Sequence, residues 1–244
     1  MQQYFVEETM EKEIPLLLNA NQYHHIVHVM RMKDGDSIRL ADNSGKVMLA
    51  HIQIKDKAVW AIPYEAIPVL SAGCEITLIM GLIKGESWEF VIQKAAELGV
   101  ARIVPILTRY SVVKITKEKL DKKIQRWQSI ALEACEQCER ATICKIEHPI
   151  TMEELDHFKS EMNLMAYERA DARSLHLAKK LRENTFSSIS VLVGCEGGFA
   201  KEEVEIAKDK GFFCISLGPR ILRAETAAIS LLADIDYEVE SRNL

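Results

Sequence analysis

The sequence has no apolar run approaching the roughly 20 residues that span a bilayer. Its first fifteen residues, MQQYFVEETMEKEIP, hold no basic stretch followed by an apolar one. Neither a membrane anchor nor a secretory leader is expected, and the expected compartment is the cytoplasm. Paired cysteines are missing as well. Cys74, Cys135, Cys138, Cys144, Cys195 and Cys214 follow no scaffold spacing, so reduced and largely buried thiols are expected. The one CxxC, Cys135 to Cys138, lies deep in a helical stretch. A zinc site needs a second ligand pair, which Cys144 alone does not supply, and a redox motif would open its helix. The histidines, His24-His25 included, show no ligand spacing, and no metal is expected.

Positive charge is in short supply, with 31 Lys and Arg against 36 Asp and Glu. Contact with a polyanion must therefore come from local patches. One candidate lies between Lys114 and Arg126, where six basic residues, Lys123 among them, meet only Glu118 and Asp121. It reads equally as a phosphate-contacting patch or as a solvated helix face. The common fingerprints are absent too: no GxGxxG follows the first strand, and there is no GxxxxGK[ST], HExxH or GxSxG. This argues against dehydrogenase, P-loop, zincin and α/β-hydrolase chemistry.

What is present is an ordinary globular composition, 48% hydrophobic and 27% charged over 244 residues, enough for two unequal domains. Residues 1–70 hold short β-rich segments at 37–41, 46–54 and 58–62, with turns at Asp34-Gly35-Asp36 and Asp42-Asn43-Ser44-Gly45 and one helical stretch over 21–32. This pattern predicts a small β-barrel. Pro63, Pro68 and Gly73 mark 63–73 as a linker. Over 74–244, apolar runs at 75–82, 101–107, 162–166, 189–194 and 212–217 alternate with amphipathic stretches at 86–98, 119–138, 174–182 and 201–210, and a final helix covers 224–239. The expected fold is α/β, a parallel sheet covered by helices on both faces. Ligands of such sheets bind beyond the carboxyl ends of the strands, here after 166, 194 and 217.

Two of those loops carry unusual composition. Gly194-Cys-Glu-Gly-Gly-Phe-Ala200 places three glycines in five positions between a buried strand and a helix, which lets backbone approach a ligand closely. Leu217-Gly-Pro-Arg-Ile-Leu-Arg-Ala-Glu-Thr226 crowds Arg220, Arg223 and Glu225 beside an apolar helix that Thr226 or a neighbour would cap. Charges so close to a core are costly unless paired or used.

Together, GCEGGF and LGPRILRAET resemble the signature of the SPOUT methyltransferases, and within them the ribosomal RNA small subunit methyltransferase E family. Further blocks extend the likeness over almost the whole chain: His25 to Arg31, Lys84-Gly-Glu with Gln93 to Val100, Arg109 to Val112, and Glu133 to Arg140. Three positions depart from the family pattern, with Cys195 in place of proline, Ala224 in place of threonine and Gln3 in place of arginine.

The resemblance implies a trefoil-knotted C-terminal domain over 74–244, a PUA-like RNA-binding domain over 1–70, and methylation of uridine N3 in 16S rRNA of the small ribosomal subunit. It implies S-adenosylmethionine as cofactor, held by Gly194, Glu196, Gly197, Gly198, Leu217, Gly218, Ile221 and Leu222, with the loop 166–169, starting at Ala166, as a third wall and Thr226 close by. A homodimer is implied as well. Arg223, then Arg220, would steady negative charge on the uracil oxygens, and Glu225, Glu196 or solvent would take the N3 proton. Arg31, Lys33, Arg109, Lys114 and Lys123 are the candidate RNA contacts. Rival readings are a different knotted methyltransferase, a non-enzymatic RNA-binding relative, and a nucleotide-dependent oxidoreductase. The last would need a glycine-rich turn where Ile83-Lys-Gly-Glu-Ser87 stands.

Overall fold

The computed structural model describes residues 1–69, 73–113, 115–167 and 176–242. Lys114, and Glu168 and Arg169 of the expected third wall, lie outside the described residues. The chain divides into two compact units, Met1–Ser71 with Cys135–Ile143, and Ala72–Ala134 with Cys144–Leu244.

The first unit is built on a five-stranded sheet in the order β1-β3-β4-β5-β2. Its strands are β1 (Gln3–Phe5), β2 (Leu16–Leu17), β3 (Ser37–Ala41), β4 (Val47–Lys55) and β5 (Ala58–Ile67). β1 runs parallel to β3, and the other pairings are antiparallel. Alternation along β3 and β4 points Ile38, Leu40, Ala50 and Ile52 into a core with Tyr4, Met10 and Ile26. β5 extends into the expected linker as far as Ile67. Pro63 lies opposite Ala50, but the register then shifts so that Glu65 faces Leu49 and Tyr64 is the extra residue of a bulge. A proline without an N–H is tolerated at such a place.

The helix expected over 21–32 is shorter. α1 (Ala20–His24) starts at a capping box in which Asn19 and Gln22 each accept the other's backbone N–H at 3.0 Å. It widens into a single π turn, His25–Val29, and Arg31 at φ 53° ends it. Gln3 is buried. Its amide donates to Arg140 O at 2.6 Å and accepts from Arg39 Nε at 3.2 Å. Gln3 thus ties β1 to the segment 135–143.

The second unit holds a six-stranded, all-parallel sheet in the order β11-β9-β10-β6-β7-β8. Along the chain it runs β6 (Glu75–Gly81), α2 (Gly85–Glu97), β7 (Arg102–Ile106), α3 (Lys117–Gln137), β8 (Lys145–Ile146), a 3-10 helix (Met152–Phe158) and β9 (Met162–Ala166). It continues with α4 (Leu177–Arg182), β10 (Ser188–Val193), α5 (Lys201–Asp209), β11 (Phe213–Ile215) and α6 (Ala224–Arg242). β6 and β10 are buried beyond their first residues, as continuous apolar strands covered on both faces must be. On one side Trp88 of α2 meets Trp127 of α3 edge-on, with 5.6 Å between ring centres. α6 packs on α2 and α4. α3 ends before Cys138, so the CxxC closes a helix rather than lying within one. No disulfide joins the six cysteines, and the Cys138 thiol donates to Cys135 O at 3.8 Å. Because every strand points the same way, the carboxyl ends of β6, β7, β9, β10 and β11 lie along one edge of the sheet.

Candidate functional site

That edge is crowded at its centre. β6 ends in Gly81, and a Cβ there would stand 2.5 Å from the backbone nitrogen of Cys195 in the loop after β10. No side chain fits where two backbones pass so closely. The loop itself turns at Cys195–Gly198, where the Gly198 N–H donates to Cys195 O at 2.9 Å with Gly198 at φ 66°. Cys195 is buried, and its sulfur accepts from the Thr108 hydroxyl at 3.4 Å. A Cβ on Gly197 would come within 2.6 Å of Tyr110 Cβ. The loop after β7, Leu107 to Ser111, is therefore seated directly on the glycine loop.

A single carboxylate holds both loops. Glu203 in the first turn of α5 is only 8% exposed. It accepts the Arg109 backbone N–H at 2.8 Å and the Ala200 N–H at 2.8 Å. Ala200 offers no side-chain acceptor, so Glu203 alone caps α5. The Arg109 side chain reaches Glu202 at 3.4 Å with both largely exposed, a weak surface pair. Glu196 is exposed and accepts the Lys84 backbone N–H at 3.2 Å, linking the glycine loop to the start of α2.

The third loop follows β11. Buried Ser216 accepts the Gly218 N–H through its hydroxyl at 3.1 Å, and Gly218 turns the chain at φ 110°. Tyr167, just past Ala166 at the end of β9, donates its N–H to Ile215 O at 3.0 Å, so the loops after β9 and β11 leave the sheet side by side. Leu217, Leu222 and Glu225 are half-buried, while Arg220 and Arg223 are exposed and Ile221 is 83% exposed. Neither arginine has an ion-pair partner among the described residues. This corrects the expectation that they press on the core: solvent reaches both, so no burial cost demands a partner. Thr226 does not cap α6 either. It is exposed within the first turn, and Arg223 O accepts the Ala227 N–H at 2.8 Å.

The structure thus brings Gly194, Glu196, Gly197, Gly198, Leu217, Gly218, Ala166 and the 220–226 turn to one edge of one sheet. The groups presented are backbone amides and carbonyls, aliphatic side chains, two carboxylates and two exposed guanidiniums. Backbone groups and aliphatic side chains with a few placed charges are the usual lining of a small-ligand site. Gly81, Thr108, Tyr110 and Glu203 belong to this framework and were missed; their sequence signals were a glycine ending an apolar strand and a glutamate in a first helical turn. Two clefts lie away from this edge. One of about 560 Å³ follows the outer side of β11 at Phe213 and Cys214, and one of about 210 Å³ lies at the amino ends of β6 and β7.

Of the expected RNA contacts, Arg31 and Lys33 are exposed in the first unit, and Lys123 extends over the Trp127 ring at 5.8 Å. Arg126 is paired with Glu89 at 3.2 Å, which reduces the charge of that patch.

The sequence profile of the RNA methyltransferase domain matches residues 71–236, and that of the RNA methyltransferase PUA domain matches residues 18–63. The chain is 32% identical to the ribosomal RNA small subunit methyltransferase E of Bacillus subtilis over 98% of both proteins. It belongs to this family of RNA methyltransferases. The family member of Rickettsia conorii is 32% identical over 90% of this chain and 88% of its own. Among solved structures, the ribosomal RNA small subunit methyltransferase E of Neisseria gonorrhoeae, bound to S-adenosylmethionine, superposes with a TM-score of 0.88 at 28% identity over 97% of each chain. A Legionella pneumophila methyltransferase in complex with the same cofactor gives 0.86 at 32% identity over 96% of each. No helix among the described residues is long and apolar enough to cross a membrane.

Proposed function

We propose that the chain transfers a methyl group from S-adenosylmethionine to N3 of a uridine in 16S rRNA, acting in the cytoplasm as a homodimer. Residues 1–70 hold the RNA and 74–244 carry the transfer. The observation that carries this reading is the sheet edge where the glycine loop, the loop after β11 and the exposed arginines converge, in a chain similar over its full length to ribosomal RNA small subunit methyltransferase E.

The cofactor supplies an electrophilic methyl group. The chain's own task is to hold the uracil ring in line, let its N3 proton leave, and steady the negative charge that then spreads over the ring oxygens. Arg223, exposed at the head of α6, suits the last role, with Arg220 next. Glu225, half-buried two residues further on, and Glu196 are the candidate proton acceptors beside solvent. Backbone groups of 194–198 and 216–218, with Leu217, Ile221 and Leu222, line the cofactor side, where Thr226 and Ala166 add walls. Arg31, Lys33, Arg109 and Lys123 are the proposed phosphate contacts, with Lys114 beyond the described residues. The C-terminal chain is read as a trefoil knot. This is supported by its return from β11, at one edge of the sheet, to pack α6 on both α4 and α2.

Nucleoside mass spectrometry tests the reaction. Small-subunit RNA from cells lacking the protein is incubated with enzyme and labelled S-adenosylmethionine, both naked and as assembled subunit. Label in 3-methyluridine is expected; label in another nucleoside keeps the family and discards the N3 assignment.

A further inference from the structure

The outward face of the N-terminal sheet carries side chains that a solvated face does not need. Antiparallel sheets with one face in water place polar residues there. Here the inward residues Leu16, Ile52, Val59 and Ala61 are buried, while outward Leu17 and Trp60 are 52% and 37% exposed. Leu17 lies opposite Trp60, which lies opposite Gln53, and in the next row Ile62 lies opposite His51, which lies opposite Ser37. The bulge after Pro63 turns Tyr64 outward, and its ring stacks on His51 with centres 4.3 Å apart and planes 15° from parallel. Ser37 Oγ stands 3.1 Å from His51 Nδ1 and orients that ring.

The chemistry of this face narrows what covers it. A purely aliphatic face would have no means of bonding the edge of a partner. This face instead sets flat rings among hydroxyl, amide and imidazole groups, the combination that stacks a planar heterocycle and bonds its edge. Lys55 is exposed on the same strand face. Glu65, paired with outward Leu49 past the bulge, is the one carboxylate at the outward positions of β2, β4 and β5, and it lies at the far end of the face from Trp60. At roughly 3.3 Å per strand residue, Trp60 and Tyr64 stand roughly 13 Å apart, room for more than one unstacked base.

We infer that the face formed by Leu17, Trp60, Ile62, His51 and Tyr64 is a stacking platform for unpaired bases of the RNA substrate. The inference rests on the reading of the chain as an enzyme acting on RNA. It adds a base-contacting surface to phosphate contacts such as Arg31 and Lys33.

Trp60 provides its own probe. The other two tryptophans, Trp88 and Trp127, are 1% and 4% exposed, so acrylamide quenching of tryptophan emission reports chiefly on Trp60. The full-length protein is titrated with a hairpin RNA bearing a single-stranded loop and with a blunt duplex of equal length. The loop RNA should shield Trp60, and the duplex should shield it less. Trp60→Ala should raise KM for RNA about 5- to 100-fold, the range of one base–aromatic stack, with kcat and S-adenosylmethionine affinity kept; Trp60→Phe should restore most of the loss. Equal shielding by duplex and loop overturns the inference, as does an active enzyme whose KM ignores Trp60. Shielding that grows with protein concentration in the absence of RNA would make the face a contact between copies and overturn it too. If the wild-type protein neither binds nor methylates RNA, the functional reading falls first and the platform with it.

Discussion

Glu203 Oε1 accepts the backbone N–H of Arg109 at 2.8 Å across a sequence separation of 94 residues. Its other oxygen caps α5 through Ala200. A buried carboxylate persists there because two backbone donors satisfy it. Glu203→Gln keeps the shape but turns one acceptor into a donor that faces an N–H. It should cost about 1–3 kcal/mol in thermal or urea unfolding, and it should raise KM for S-adenosylmethionine more than it lowers kcat. A destabilised variant with wild-type KM would show that the β7 loop does not depend on this clamp.

Two glycines at the site should respond differently to alanine. The new Cβ of Gly197→Ala meets a side-chain carbon of Tyr110 at 2.6 Å, whereas that of Gly81→Ala meets a backbone nitrogen at 2.5 Å. Both should weaken cofactor binding. Overpacking of this kind costs about 1–3 kcal/mol. Adding Tyr110→Gly, which removes the opposing carbon, should recover part of the loss for Gly197→Ala and none for Gly81→Ala. Calorimetric titration with S-adenosylmethionine checks this, and rescue of both variants would mean that the loops move as one.

Arg223 is exposed, so its replacement leaves packing intact and tests chemistry alone. Arg223→Ala should lower methylation by about 10²–10³-fold, the effect of removing one oxyanion donor, with cofactor affinity unchanged. Arg220→Ala should cost less. Wild-type turnover in single-turnover assays of Arg223→Ala would remove it from the mechanism.

Burial pushes the Cys74 thiol up to about 11, with Glu161 adding to the effect. At pH 8 this buried thiol should resist iodoacetamide, and half-buried Cys138 should be labelled before it. Peptide mapping after brief labelling decides the order. The unfolded thiol ionises above its ordinary value of 9.0, whereas the folded one holds its proton to about 11. The Cys74 contribution is therefore intact below pH 9 and declines as pH rises through that window, and Cys74→Ala should flatten this part of the Tm profile.

The parallel sheet was legible because its central strands are unbroken apolar runs; Met162–Ala166 was expected to the residue. Short strands were not. β2 and β8 hold two residues each, too few for any period to show. The run from Asn21 to Met32 has helical spacing but gives way to a π turn, which the spacing of His25, Val29 and Met32 does not distinguish from a regular helix. Pro63 and Pro68 read as a linker because a bulge that frees one position from the ladder leaves no mark in the sequence. At the site, composition pointed to the glycine loops, but Thr108, Tyr110 and Glu203 act through space on residues some 85 to 95 positions away. Only the fold reveals such partners.

The bond from Gln3 to Arg140 has a consequence for synthesis. β1 is anchored by residues that leave the ribosome long after β5 ends at Ile67: Phe5 N–H donates to Glu136, and the terminal amine meets Glu139 at 3.0 Å. At roughly 5–20 residues per second, the nascent sheet waits roughly 4 to 15 seconds for its closing segment. During that interval the outer edge of β1 is open to foreign strands. The piece that is contiguous in sequence is thus not the piece that finishes folding, and a fragment cut at the apparent linker would remain permanently at this half-assembled stage.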